Sequence, residues 1–310
     1  MFISGQYDKI KEHLKLWYRY IVSKKAGDAM KDVHLDFQIE SMQGIPVGRF
    51  PLLTETGLIS HGFSTREGGI SQGAYWSLNL SYSSDDDSEK VWENLMRFTL
   101  AAGVDLHRAV LSHQTHESRV KRVTKEDSGK GLVVPRDYQR IDGLITNEPG
   151  IPLMTFHADC VPVFFVDPVN VAVGLAHAGW RGTADGLLQQ MIHAMQRSFG
   201  SKPQNLLAAM GPSIRACCFW VQNDVKTIIT KKLRLDHSFF QVVNQRQWSL
   251  SLQAVNRQIM LEAGIPEENI IDARLCTCCN KEIYFSHRGQ GAIRGTLAAV
   301  IQINGIEGKV

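Results

Sequence analysis

The chain has 310 residues, 44% hydrophobic and 21% charged, with a net charge of +3. That composition is ordinary for a globular protein and lacks the basic bias that nucleic-acid binding demands. No run approaches the roughly 18 apolar residues of a membrane span, and six cysteines in so long a chain do not make a disulfide scaffold.

Ile10, Leu14, Trp17, Tyr18 and Ile21 fall at helical spacing with Lys and Glu between them. Residues 1–29 therefore read as an N-terminal helical extension, with Met30 as an alternative start. The segment has no compact apolar core of a signal peptide, so a cytoplasmic protein with reduced thiols is expected. Residues 30–310 read as a single domain.

Val33, Leu35, Phe37 and Ile39 alternate with polar residues and predict a strand, followed by a turn near Gly44–Pro46. "LISHGFSTREGGISQGAYWSLNLSYSS" reads as short strands joined by Gly- and Ser-rich loops. "DDDSEKVWENLMRFTLAAG" predicts a helix capped by Asp or Ser and stopped by Gly103. "RAVLSHQTHESRVKRVT" reads as a strand pair or one kinked strand. Further strands are expected at "IPLMTFHADC", "VAVGLAHAG", "NLLAAMGPSI" and "GTLAAVIQI", and helices at "TADGLLQQMIHAMQRSFG" and "SLQAVNRQIMLEAG". Helices falling between clusters of strands give an α+β fold, with mixed sheets covered by helices.

The chemistry concentrates in "HADCVPVFFVDPVNVAVGLAHAGWRGT", residues 157–183. Cys160 and His177 each end an apolar strand, followed by Val161–Pro162 and Ala178–Gly179 as turns. If the intervening segment is a hairpin about "DPVN", its outer ends meet and these two residues become neighbours. They then read as core residues, as a nucleophile with its base, or as two ligands of a metal. "HQTHESRV" offers His113 and His116, either of which completes a His/Cys/His set. Three protein ligands leave tetrahedral zinc one open position, the pattern of a catalytic site; thiolate and imidazole also suit copper.

Other candidates are weaker. "CTCC", Cys276 to Cys279, has no second C-x-x-C nearby and reads as core or a tight turn. Cys217 and Cys218 face opposite ways if they lie on a strand, which disfavours a joint ligand role. "STREGGIS" combines Arg66 with a Gly-rich loop and reads equally as a phosphate cradle or a surface turn. Arg181 precedes a helix start, which makes an anion site or simply a capped helix.

"HADCVPVFF", "GLAHAGWRGTADG", "MGPSIRACCF" and "CTCCNKEIYFSHR" together resemble the YfiH/YlmD/LACC1 laccase-domain, FAMIN-like purine nucleoside phosphorylase family. "GFSTREGGIS", "YWSLNLSY" and "HQTHESRV" fit the same pattern, which runs from about residue 45 to 305. The resemblance implies one layered α/β/β/α domain, related to certain bacterial cysteine-dependent toxin domains of the CNF1 type. It implies a catalytic zinc, with copper as the alternative, held by His116, Cys160 and His177. His116 is chosen over His113 because the family pattern is Q-x-H, matched by Gln114 to His116. Implied activities are zinc-dependent phosphorolysis of adenosine, inosine and S-methyl-5′-thioadenosine, with adenosine deamination alongside. The implied partners are thus purine nucleosides and phosphate.

Members are also described as copper-dependent polyphenol oxidases and as peptidoglycan-editing factors, but the 11 histidines here include no H-x-H pair of a multicopper cluster. Glu117 stands where the family often has Gly, Gly289 where it has a second Arg, and Cys278 is an added thiol. Asp159, beside a ligand, reads as the acid that protonates departing ammonia or as a carboxylate orienting a ligand histidine. Arg66 and Arg181 are the candidates for phosphate, with His287 and Arg288 as further basic contacts and Gln114 at the site. A Cys160–His177 hydrolase or deamidase remains the rival chemistry.

Overall fold

In the computed structural model the described residues are 36–234 and 237–305. The expected helix within residues 1–29, and Met30, lie outside them. In chain order come β1 (Gln38–Met42), β2 (Ile45–Arg49), α1 (Pro51–Thr54), β3 (Ile59–Ser64), α2 (Ser88–Ala102), β4 (Val110–Leu111), β5 (Val120–Arg122) and β6 (Gly143–Thr146). Then follow β7 (Leu153–His157), β8 (Val161–Asp167), β9 (Ala172–Ala178), α3 (Trp180–Ala184), α4 (Leu187–Phe199) and β10 (Leu207–Met210). The remainder is β11 (Trp220–Val221), α5 (Asn223–Leu233), β12 (Phe240–Asn244), β13 (Gln247–Leu250), α6 (Leu252–Glu262), β14 (Ile270–Asp272), α7 (His287–Gln290) and β15 (Leu297–Ile303).

Two six-stranded mixed sheets result, ordered β1-β2-β3-β15-β7-β4 and β14-β10-β8-β9-β6-β5. The period-2 alternation of β8 shows why they stack. Phe164 and Val166 join Phe63, Leu153, Leu297 and Ile301 of the first sheet in a core between the two. Val161, Val163 and Phe165 point the other way, onto Leu188, Met191 and Met195 of α4 and Val255 and Ile259 of α6. On the outer face of the first sheet, Met154, Ala298 and Val300 meet Val91, Leu95 and Phe98 of α2. The order of layers is therefore α/β/β/α, and the fold is α+β. Each large side chain buried in these layers contributes about 1.5–3 kcal/mol through removal of apolar surface from water.

Helix α2 begins as expected: the Asp87 side chain accepts from the Glu89 N–H, and Gly103 closes it with a φ of 76°. The helix expected over "TADGLLQQMIHAMQRSFG" is broken. Gly186 adopts a φ of 82° and separates α3 from α4. Helix α4 approaches the sheet so closely that a Cβ on Gly143 would lie 2.5 Å from Met191 Sδ. A three-stranded sheet, β11-β13-β12, and helix α5 lie between Trp220 and Leu250, where no strand or helix was expected before "SLQAV".

The expected pairing within "RAVLSHQTHESRVKRVT" does not occur. β4 belongs to the first sheet and β5 to the second, so residues 112–119 cross between sheets. Residues 158–160 make a second crossing, from β7 to β8. Val161–Pro162 accordingly opens β8 and is not a turn.

His61 of β3 sits between the sheets. Its ring stacks on Phe50 and lies edge-on to Phe164, and Nε2 accepts the Phe50 N–H at 2.9 Å. Burial, helped by the Arg49 charge, pushes this imidazole down to about 3. The unfolded chain protonates it near pH 6.5, so its neutral form stabilises the fold fully above that pH. The contribution falls at about 1.4 kcal/mol per pH unit as the pH drops from about 6.5 towards 3. His61→Phe should remove that slope between about pH 6 and pH 4, measured as urea unfolding free energy against pH. An unchanged slope would show that the folded state protonates His61 freely.

Candidate functional site

The site lies where both crossings meet the end of the β8–β9 hairpin. Register pairs Val161 with Ala178 and Pro162 with His177, so Cys160 arrives beside His177 as the hairpin reading requires. His116 enters from the first crossing. The ligand atoms of His116, Cys160 and His177 all lie within 4.8 Å of one another, and the two imidazole centroids are 4.9 Å apart.

One carboxylate organises two of these three donors. Asp142, fully buried just ahead of β6, accepts the Nδ1–H of His177 at 2.8 Å. It also accepts the backbone N–H groups of Thr115, His116 and Glu117 at 2.9–3.1 Å. These bonds hold His116 at a φ of 63°, a left-handed conformation costly for a side-chain-bearing residue. Gln114 anchors the same loop, its amide donating to Phe156 O and accepting from Phe156 N–H. Burial would push the Asp142 carboxyl up, but His177 and the loop N–H groups hold it below the carboxylate range.

Burial opposes ionisation of Cys160 as well. The His177 charge and hydrogen bonds from both histidines outweigh it and bring the thiol down to about 6. His177, also penalised by burial, is raised to about 9 by the Cys160 thiolate and Asp142. His157 packs 5.3 Å from the His177 ring, but its nitrogens face Thr155 Oγ1 and the Cys160 carbonyl. Burial holds it well below its usual range, so it is a neutral neighbour and not a donor.

The donor set fits a metal ion. With Nδ1 of His177 engaged by Asp142, Nε2 is the atom free to coordinate. A Cβ on Gly179 would fall 2.8 Å from His116 Cδ2 and 3.1 Å from Cys160 Sγ, so only glycine leaves room there. One thiolate and two imidazoles match a three-ligand zinc centre with an open position. Two cavities border these donors and share His116, Ala158, Cys160 and Arg294. One, about 330 Å³, is apolar, walled by Trp180, Ile214, Phe219 and Leu252 with His287 and Arg288 at its edge. The other, about 400 Å³, is polar, lined by Tyr82, Ser83, Ser112, Gln114, Arg136 and Thr296.

The other expected residues separate into those near the site and those away from it. His287 and Arg288 reach the apolar lobe. Gln114 lines the polar lobe, but its amide is spent on Phe156. Arg66 lines neither lobe. Its guanidinium donates to Trp76 O and Lys281 O and packs on Phe285, so it holds a loop and is not presented to phosphate. Arg181 stacks outward on Trp180 and also lines neither lobe. Asp159 needs a correction too. One oxygen accepts Thr277 Oγ1–H and the other the Arg288 N–H, both at 2.7 Å, so it orients no histidine. Asp142 has that role. His113 is taken up by the Arg140 N–H and stands outside the donor set.

Sequence reasoning missed Asp142, Arg136 and Arg294. Asp142 lies 35 positions from His177, with no local spacing to mark it. Arg294 Nε is buried and has no hydrogen-bond partner among the described residues. Removing the Asp142 carboxylate frees both His177 and the His116 loop. Asp142→Ala should therefore weaken metal binding about 10–100-fold, measured by competition with a chromophoric chelator. Affinity equal to that of the parent protein would show that Asp142 does not position the donors.

No helix of the described residues is long and apolar enough to cross a membrane. The family model described as multi-copper polyphenol oxidoreductase laccase matches residues 60–304. Purine nucleoside phosphorylase YlmD of Geobacillus stearothermophilus is 35% identical over 245 residues, covering 77% of this chain and 88% of that protein. Adenosine deaminase RL5, from an unknown prokaryotic organism, is 32% identical over 239 residues, covering 75% and 90%. A crystal structure of YlmD from Geobacillus stearothermophilus aligns with a TM-score of 0.78 at 33% identity, over 87% of this chain and 99% of that one. With a family model spanning most of its length and relatives above 30% identity over three quarters of it, the chain belongs to the laccase-domain family that includes YlmD and LACC1.

Proposed function

We propose that this protein is a zinc-dependent purine nucleoside phosphorylase that also deaminates adenosine. The observation that carries the reading is the pair of lobes, apolar and polar, that share the His116/Cys160/His177 centre and Arg294. A purine suits the apolar lobe, where Trp180 and Phe219 offer aromatic faces. Phosphate suits the polar lobe, where Arg136 and Arg294 supply guanidinium donors and Tyr82 and Ser83 supply hydroxyls. Arg294 borders both lobes, which supports a role for it with phosphate beside the ribose. The names of relatives support both activities, one being a phosphorylase and another a deaminase.

His116, Cys160 and His177 are the residues to hold zinc, which when bound supplies a Lewis acid and lowers the pKa of water in its open position. Arg294 and Arg136 hold the phosphate dianion. His287, at the edge of the apolar lobe, is the group we assign to donate a proton to the departing purine. Thr277 and Asp159 set the position of the Arg288 backbone beside it. The apolar walls exclude water from the base.

Copper finds less support. Among the described residues, histidines contribute to one metal-sized group, His116 with His177 and Cys160, and not to a multicopper cluster. A second reading has an observation behind it: without metal, the lowered Cys160 and raised His177 form a thiolate–imidazolium pair suited to a cysteine hydrolase. The third donor, His116, favours the metal enzyme. His116→Ala should lose zinc and turnover together, whereas a thiol–imidazole hydrolase keeps its turnover.

Purified protein, assayed for zinc and incubated with adenosine, should release adenine only when phosphate is present and inosine without it. Zinc-loaded protein that forms neither product overturns the reading. Arg294→Ala should raise KM for phosphate about 10–100-fold, the worth of a charge-assisted hydrogen bond, with KM for adenosine nearly unchanged. A rise confined to the adenosine KM would place Arg294 with the base and not with phosphate.

A further inference from the structure

Cys276 and Cys279, expected as core or turn residues, converge with Cys217 and Cys218, expected to diverge along a strand. The sulfurs of Cys217, Cys218, Cys276 and Cys279 all lie within 4.8 Å of one another. Cys279 Sγ is 3.4 Å from both Cys217 Sγ and Cys218 Sγ. The expectation that Cys217 and Cys218 diverge fails because they occupy a turn and not a strand.

The backbone brings the two pairs together independently of the sulfurs. β10 and β14 are parallel neighbours, so the loops that follow them leave the sheet side by side. A Ser213–Cys276 bridge joins the loops, and Arg215 makes a two-pronged ion pair with Asp272 at 2.8 and 2.9 Å. A disulfide explains this cluster poorly. Cys279 stands equally near two thiols, and bonding to either leaves the remaining pair unaccounted for. A tetrahedral ion with metal–sulfur bonds of about 2.3 Å spaces its sulfurs about 3.8 Å apart, within the range found here. Cys217 and Cys279 are exposed, so an ion has access from solvent.

We propose that Cys217, Cys218, Cys276 and Cys279 form a second metal site, a tetrathiolate that holds zinc for a structural purpose. All-thiolate coordination selects a thiophilic ion, and four protein ligands leave no open position for substrate. The site clasps one wall of the apolar lobe. Cys218 precedes Phe219, and its carbonyl accepts from Arg288 Nη1. Cys276 precedes Thr277, whose hydroxyl bonds Asp159, the neighbour of Cys160.

The two sites are separable by mutation, so this proposal and the catalytic one stand or fall independently. The test is zinc per chain by mass spectrometry on reduced, dialysed protein, with cobalt substitution to read the ligands from the absorption spectrum. His116→Ala/His177→Ala should retain about one zinc per chain, and its cobalt form should show the intense charge-transfer bands of a tetrathiolate. Cys279→Ser should lose about one zinc relative to the parent protein and melt at a lower temperature. A folded double-histidine variant free of zinc overturns the proposal, even if Cys279→Ser fails to fold. So does copper in place of zinc at the cysteines, or a thiol titration of protein unfolded without prior reduction showing two of the four cysteines already joined.

Discussion

The centre depends on one buried carboxylate. Asp142 receives the Nδ1–H of His177 and three consecutive N–H groups of the loop carrying His116. Four donors satisfy its charge, which makes burial of an anion tolerable. In return the carboxylate fixes the tautomer of one imidazole and the unfavourable backbone of the other. Cys160 needs no such help, because hairpin register already delivers it to the end of β9.

The layered fold explains why the donors meet where they do. Both crossings between sheets emerge at one end of the sandwich, and a crossing segment must leave the ladder of strand hydrogen bonds. Its free backbone groups then need other partners. Asp142 serves the first crossing and Gln114 ties it to β7; the second is held through Asp159 by Thr277 and Arg288. The residues with positive φ at these places, His116 and Asp159, flank the donor set. Strain is stored beside the chemistry and balanced by buried hydrogen bonds.

The two lobes divide recognition by polarity. Aromatic and aliphatic walls face one way from the centre and guanidinium and hydroxyl groups the other, with Arg294 between. The cysteine cluster belongs to the same design, because the loops it joins supply Phe219 and support Arg288. A clasp there would stiffen the turns that carry Cys217, Cys218 and Cys276, which belong to no helix or strand.

Periodicity and caps made the strands at "VAVGLAHAG" and "GTLAAVIQI" and the helix α2 legible, because alternation and capping are local properties of the chain. The proximity of Cys160 and His177 was legible for the same reason, since a tight turn fixes hairpin register. Family resemblance selected His116 over His113; in the fold His116 lies beside Cys160 and His177, while His113 accepts the Arg140 N–H. Asp142, Arg136 and Arg294 were not legible: each acts across sheets or loops far apart in sequence, and no short spacing marks such a contact. Nor was the cysteine cluster, since two pairs 58 or more positions apart meet only because β10 and β14 lie side by side. The sequence by itself determined the local elements and the hairpin that brings Cys160 beside His177. Tertiary structure alone decided which carboxylate aligns them, which arginines face the cavities and which thiols converge, because those depend on how strands from distant segments are ordered within the sheets.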